Sequence, residues 1–75
     1  MDILKKRVGS LKDGREKDFL KDALKKRNEA VKKLDKQKLE MLLNRVNYIY
    51  DGLSIEAQGI ATYLIKIVME DISEC

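Results

Sequence analysis

The chain has 75 residues, of which 39% are charged, and it contains no histidine, no proline and one cysteine. A chain of this length forms one small domain at most, and its core is marginal unless a disulfide, a metal or a partner subunit adds stability. A single cysteine excludes an internal disulfide, and the absence of histidine leaves a zinc site with almost no ligands. We therefore expect association between subunits to supply the extra stability.

The first segment, residues 1–14, gives weak structural signals. Leu4 and Val8 could lie on one side of a short amphipathic helix that stops at Gly9. A second glycine, Gly14, weakens any helix that starts near it. We predict that this segment is either poorly ordered or a short N-terminal helix.

A helix is predicted over residues 15–33. Its apolar side chains, such as Leu20 and Leu24, follow helical spacing but form only a narrow face. Neither glycine nor proline occurs between Arg15 and Asp51, so the usual breaker residues do not mark where this helix ends.

Two interpretations of residues 15–51 stay open. One continuous helix would be about 55 Å long and would force an extended or intertwined dimer. In the other, the helix breaks at Asp35, which caps a new helix and places Leu34 and Leu39 where a hydrophobic staple forms. The sequence favours the break without deciding it.

The next predicted helix, residues 36–51, carries a cleaner apolar stripe. Leu39, Leu42 and Val46 step by three and four, as in the seam of a coiled coil. The connection that follows is short, and Gly52 is predicted to take the left-handed conformation that ends a helix. This helix and the last one should therefore be antiparallel neighbours.

The last predicted helix, residues 55–72, is the most apolar element of the chain and begins after Ser54, its predicted cap. Apolar side chains cover most of its circumference, more than two thin partner helices can bury. We therefore predict that it supplies the central contact of a homodimer. The residues predicted for this core and dimer contact are Ala57, Ile60, Ala61, Leu64, Ile65, Val68 and Ile72. The predicted fold class is all-α: a single helical domain over 15–75, built as a small hairpin or bundle of about three helices that dimerisation completes.

Catalytic chemistry has few residues to work with. Without histidine the chain has no ordinary general base near neutral pH, and neither glycine-rich phosphate-binding pattern occurs. We predict no enzymatic activity, no cofactor, no metal site and no small-molecule substrate. The N-terminus, MDILKKRVGS, lacks the apolar core of a signal peptide, and the apolar run at 60–69 is too short for a membrane span. These features predict a cytoplasmic protein with no membrane partner.

Charge is divided unevenly along the chain. Residues 1–38 hold 14 lysines and arginines against 7 acidic residues, net +7, whereas residues 39–75 hold 2 against 6, net −4. The predicted basic face consists of Lys21, Lys25, Lys26, Arg27, Lys32, Lys33 and Lys36. Such a face can contact phosphates or an acidic partner. Because acidic residues are interleaved at helical spacing, a solvated face with ion pairs between helix turns is the alternative.

Two functions fit these features. The first, which we predict, is a small non-enzymatic regulatory or interaction protein that acts as a homodimer through contacts with a protein partner, using Tyr48 and Tyr50 as anchors. The second is a nucleic-acid-binding regulator that uses the basic helix at 21–38. The sequence does not identify the partner, because a solvated face and a docking face use the same residue types.

Overall fold

The computed structural model describes residues 2–75, which form four α-helices and no β-strand. The helices are α1 (Asp2–Gly9), α2 (Arg15–Lys32), α3 (Lys36–Ile49) and α4 (Ile55–Glu74), with a short 3-10 helix at Tyr50–Gly52. They pack into a bundle with principal extents of 33 × 24 × 16 Å. The chain is therefore all-α, with four helices where about three were expected. No helix within residues 2–75 combines the length and apolar character needed to cross a membrane.

The first helix belongs to the bundle. Of the two alternatives for residues 1–14, the structure shows the short helix; Met1 lies outside the described residues. Leu4 and Val8 are buried, and α1 contacts both α2 and α4. In the connection to α2, Gly14 has a φ of 154°, a backbone conformation used almost only by glycine.

The helix that could have run through residues 15–51 is broken, so the continuous interpretation is wrong. Leu34 has a φ of 54°, and its N–H donates to the carbonyl of Val31 at 3.1 Å. The N–H of Asp35 donates to the carbonyl of Ala30 at 2.9 Å, which completes a Schellman motif and ends α2. Asp35 then caps α3, because its Oδ1 accepts a hydrogen bond from the N–H of Lys38 at 3.1 Å. Leu34 is 75% exposed, so the predicted hydrophobic staple buries little of it.

The connection between α3 and α4 differs from the prediction. Within residues 2–75 a positive φ occurs at Gly14 and Leu34, so the left-handed conformation predicted for Gly52 is wrong. The chain instead tightens into the 3-10 helix, and the Gln58 side chain donates to the carbonyl of Tyr50 at 3.0 Å. The predicted cap of α4 is present, because Ser54 Oγ accepts from the N–H of Ala57 at 3.2 Å. A side-chain donor from Gln58 therefore pairs with a carbonyl at the end of α3, where a glycine cap was predicted.

The hydrophobic core is formed by all four helices, and α4 contacts each of the other three. Its buried apolar side chains are Leu4, Val8, Leu20, Ala23, Leu24, Ala30, Leu39, Leu42, Val46, Ala57, Ile60, Ala61, Leu64 and Val68. Much of the broad apolar surface of α4 is thus covered within a single chain, and α1 is a third covering helix beyond the two that were expected.

One charged pair lies in this core. Arg27 of α2 is 9% exposed, and its guanidinium makes two hydrogen bonds to the carboxylate of Asp71 in the last turns of α4. The distances are 2.6 Å from Nε to Oδ2 and 2.8 Å from the second nitrogen to Oδ1. This bidentate geometry suits arginine, and it fixes the end of α4 against the middle of α2.

Candidate functional site

A groove that runs between α2 and α3 is a candidate site. Its cavity volume is about 350 Å³. The lining residues are Lys26, Glu29, Ala30 and Lys33 from α2 and Lys38, Met41, Leu42 and Arg45 from α3. We refer to these eight residues as the α2/α3 groove.

The floor of the α2/α3 groove is apolar. Ala30 and Leu42 are buried in the core, so the groove exposes only their outer surfaces. Met41 lies beside them and is 65% exposed. Methionine is unbranched and adapts its shape to different apolar partners. The floor can therefore bury an apolar side chain that enters from outside the chain.

The rim of the groove is strongly basic. Four cationic side chains and one carboxylate, that of Glu29, give the lining a net charge of +3 (four minus one). Lys26 pairs with Asp22 at 3.1 Å, but both side chains are more than half exposed, and a surface ion pair of this kind contributes little. The rim thus presents positive charge on both sides of an apolar floor.

Arg45 is positioned across the end of the groove. Its guanidinium lies 5.9 Å from the centre of the Phe19 ring on α2, within the range of a cation–π interaction. Phe19 is half-buried against the core, so it offers the arginine a supported surface. Arg45 therefore connects the α3 wall of the groove to a side chain of α2.

The groove continues along the exposed side of α3. Lys38, Met41, Arg45 and Tyr48 are spaced by three, four and three residues, which places them on one face of the helix. Tyr48, a predicted partner anchor, is 89% exposed at the end of this row. The row alternates positive and apolar side chains over about 15 Å of helix.

The second predicted anchor, Tyr50, lies elsewhere. It is half-buried in the 3-10 helix, and its hydroxyl is 3.0 Å from the Thr62 hydroxyl on α4. These contacts make Tyr50 part of the α3–α4 junction. The structure therefore separates the two tyrosines that the sequence analysis grouped together.

The predicted basic face is divided by the structure. Lys26 and Lys33 line the groove, whereas Lys21, Lys25, Lys32 and Lys36 are exposed outside it. Assigning Arg27 to this face is wrong, because Arg27 faces the core and pairs with Asp71. Its place in the gap of the apolar stripe, between Leu24 and Val31, was the signal that it points inward.

The sequence analysis missed two groove residues, Met41 and Arg45. Both lie beside the apolar stripe of α3, and Arg45 is separated in sequence from the other basic residues. Their spacing from Lys38 and Tyr48 could have identified them as one helical row. Their pairing with α2 could not be read from the sequence, because it depends on how the two helices cross.

The residues predicted for the core and dimer contact of the last helix are placed inside one chain. Five of them, Ala57, Ile60, Ala61, Leu64 and Val68, are buried, and Ile65 and Ile72 are partly buried against the same core. In this fold they are already in contact with the other three helices. A second copy would have to use other side chains of α4.

Among the side chains that the structure describes, no three acidic or cysteine side chains are arranged to hold a metal ion. Cys75 is a free, exposed thiol. Comparison with family models, curated proteins and solved structures finds no match to this chain.

Proposed function

We propose that this chain is a small, non-enzymatic regulatory protein of the cytoplasm that acts as a homodimer and binds another protein through the α2/α3 groove. The observation that carries the proposal is the combination of an apolar floor with a rim of net charge +3. Either feature alone is ordinary on a helical surface. Together they match a protein interface, which has an apolar centre and a polar edge.

The exposed row on α3 supports the same proposal. Methionine, arginine and tyrosine are the residue types enriched at protein interfaces, and this row contains one of each. Met41 and Tyr48 are large apolar side chains that the chain itself leaves mostly in solvent. Burying them against a partner would release this apolar surface from water.

The homodimer rests on a different surface. Because the core stripe of α4 is covered within one chain, a second copy would contact the apolar side chains that α4 leaves exposed, which are Ile55, Tyr63 and Met69. Tyr63 already packs beneath the Arg7 guanidinium, 5.9 Å from its ring centre. The dimer would thus leave the α2/α3 groove open to the partner.

Site-specific photo-crosslinking in the cells that express the protein tests this function. A photoreactive amino acid is placed at Met41 in one variant and at Ile55 in another, two exposed apolar positions on different surfaces. We expect Met41 to give a discrete adduct with a second protein, identified by mass spectrometry, that Ile55 does not give. The absence of a protein adduct from Met41, or the same adducts from both positions, would contradict the proposal.

A nucleic-acid-binding function is the second candidate, and one observation favours it. The ion pairs found within residues 2–75 are Lys17–Asp13, Lys26–Asp22 and Arg27–Asp71, so most lysines of the predicted basic face have no carboxylate in ion-pair distance. Lysines of this kind can neutralise phosphates. If this candidate is correct, affinity for a short DNA duplex will fall steeply with salt and fall further when Lys25 and Lys32 are changed to glutamate.

A further inference from the structure

We propose that the partner segment bound by the α2/α3 groove is an acidic amphipathic helix. This inference rests on the proposed function, because it names the chemistry of the partner for the same site. The charge of the rim, the apolar floor and the length of the row on α3 support it.

Charge selects an acidic segment. The rim carries a net charge of +3, and its cations stand on both walls, with Lys26 and Lys33 on α2 and Lys38 and Arg45 on α3. A basic or neutral segment would leave these charges unpaired or bring like charges together, which costs binding free energy. Carboxylates on both sides of a bound segment would pair with both walls at once.

The apolar floor requires an apolar side on the same segment. Ala30, Leu42 and Met41 form a surface that can hold aliphatic side chains, and carboxylates alone would leave it in contact with water or with charge. A helix that carries aliphatic residues three and four apart presents them as one stripe, with its acidic residues on either side. This arrangement of an apolar stripe between two acidic edges mirrors the groove.

The dimensions of the row agree with a helical partner. From Lys38 to Tyr48 the exposed face of α3 extends about 15 Å, which corresponds to about three turns of a helix lying along it. The groove is open to solvent along one side, so a helix can approach it from outside the chain. An amphipathic helix in a groove between two helices is a recurrent mode of peptide recognition.

The same features disfavour a nucleic-acid duplex in this groove. A duplex presents phosphates on its outside and offers no aliphatic stripe, so Met41 and the floor would gain nothing from the contact. Lys21, Lys25 and Lys32 are exposed on α2 outside the groove lining, so a duplex could contact them without covering the apolar floor. The two surfaces of α2 can therefore be tested separately.

The experiment measures binding of a fluorescein-labelled peptide by fluorescence anisotropy, with reductant present to keep Cys75 from cross-linking chains. The probe is a designed helix of about four turns, with leucines on one face and glutamates on the others. One control peptide has the same composition in scrambled order, and another has lysine in place of glutamate. We expect saturable binding of the probe, at least about tenfold tighter than that of either control.

Paired variants of the full chain locate the binding. Lys33→Gln with Lys38→Gln removes two exposed charges from the rim, and Lys25→Gln with Lys32→Gln removes two exposed charges from α2 outside it. Circular dichroism first shows whether both double variants keep the wild-type melting temperature. We expect the rim variant to lose about tenfold in affinity and the outer variant less than about twofold. Met41→Gln, which keeps the charge, should also weaken binding.

The outcomes separate this inference from the proposed function. Equal binding of the probe and the scrambled peptide, or equal effects of the two double variants, would overturn the inference. The inference would also be overturned if duplex DNA displaced the probe and if the affinity for DNA fell in the rim variant. If the probe fails to bind while Met41 still crosslinks to a protein in cells, the partner is not an acidic helix but the proposed function stands. If Met41 gives no protein adduct, the proposed function itself fails.

Discussion

Leu34 holds the backbone conformation that glycine usually adopts at the end of a helix. Its φ of 54° brings Cβ close to the following carbonyl oxygen, which costs roughly 1–2 kcal/mol for a residue with a side chain. The Leu34 side chain is mostly exposed, so hydrophobic burial offsets little of this backbone strain. What the conformation provides is the sharp turn from α2 into α3, which sets the two walls of the groove.

We predict that Leu34→Gly stabilises the protein. The free energy gained by removing the left-handed strain should exceed the extra conformational entropy that glycine loses on folding. We therefore expect the free energy of unfolding to rise by roughly 0.5–1 kcal/mol. Urea denaturation followed by circular dichroism measures this change. Leu34→Ala is the control, because it removes the same exposed side chain while keeping Cβ. A glycine variant less stable than the alanine variant would contradict the prediction.

The Arg27–Asp71 pair also has a large effect on the stability of the folded state. Both side chains are only about one-tenth exposed, at 11% and 12%, so removing one partner leaves the other charge buried without its hydrogen bonds. The two residues are 44 positions apart in sequence. The pair therefore acts only in the folded state, where it fastens the end of α4.

We predict that Arg27→Ala lowers the free energy of unfolding by about 3 kcal/mol, since Asp71 would remain buried and unpaired. Thermal or urea unfolding of the variant measures the loss. Arg27→Met combined with Asp71→Leu removes both charges and should recover most of it, because two packed apolar side chains can replace a buried pair. If the double variant were as unstable as Arg27→Ala, the destabilisation would come from lost packing and not from the unpaired charge of Asp71.

Among the helices, α1 determines how much of the apolar surface of α4 is buried. Leu4 and Val8 lie one helical turn apart and reach the core together, so this eight-residue helix is held by its contacts with α2 and α4. A helix this short is not stable by itself in water. Its order therefore depends on the bundle.

The prediction for α1 compares neighbouring positions. Leu4 is 1% exposed and Ile3 is 62% exposed. We expect Leu4→Ala to lower the free energy of unfolding by about 3 kcal/mol because it leaves a cavity in the core. Ile3→Ala should change it by less than about 0.5 kcal/mol. Equal effects of the two changes, measured by urea unfolding, would mean that α1 does not contribute to the core in solution.

Much of the element pattern can be predicted from local signals, and the differences have physical causes. The caps at Asp35 and Ser54 and the breaker at Gly14 act on neighbouring backbone groups, so the starts of α2, α3 and α4 coincide with the predicted residues 15, 36 and 55. The docking of α1 and the α2/α3 groove depend on contacts between distant segments. Left-handed Leu34 could not be foreseen either, because the turn that ends α2 uses a backbone conformation that its residue type disfavours.

For the whole molecule, the homodimer remains a prediction that the structure makes more specific. The original reason was the excess apolar surface of α4, but α1 covers part of that surface within one chain. What remains for a second copy is the set of exposed apolar side chains of α4. A dimer that uses them would be held by a smaller contact than one built on the core stripe.

We expect light scattering at micromolar concentration, with reductant present, to give the mass of two chains, about twice 8.7 kDa. Met69→Lys places a charge on the exposed side of α4 and should shift the mass toward one chain. Lys25→Gln, on a different surface, should leave the mass unchanged. A mass of one chain for the wild type would contradict the prediction and leave the groove to be tested on a monomer.

The turn at Leu34 and Asp35 affects the conformational entropy that is lost when a partner binds. Because one hydrogen-bonded turn joins both walls, the groove is formed before a partner arrives, and the receptor loses little conformational entropy on binding. The entropy cost then falls on the partner, which must become helical. Affinity among acidic partners should therefore follow their own helical content, and a peptide locked into a helix by a covalent brace should bind more tightly than its flexible parent.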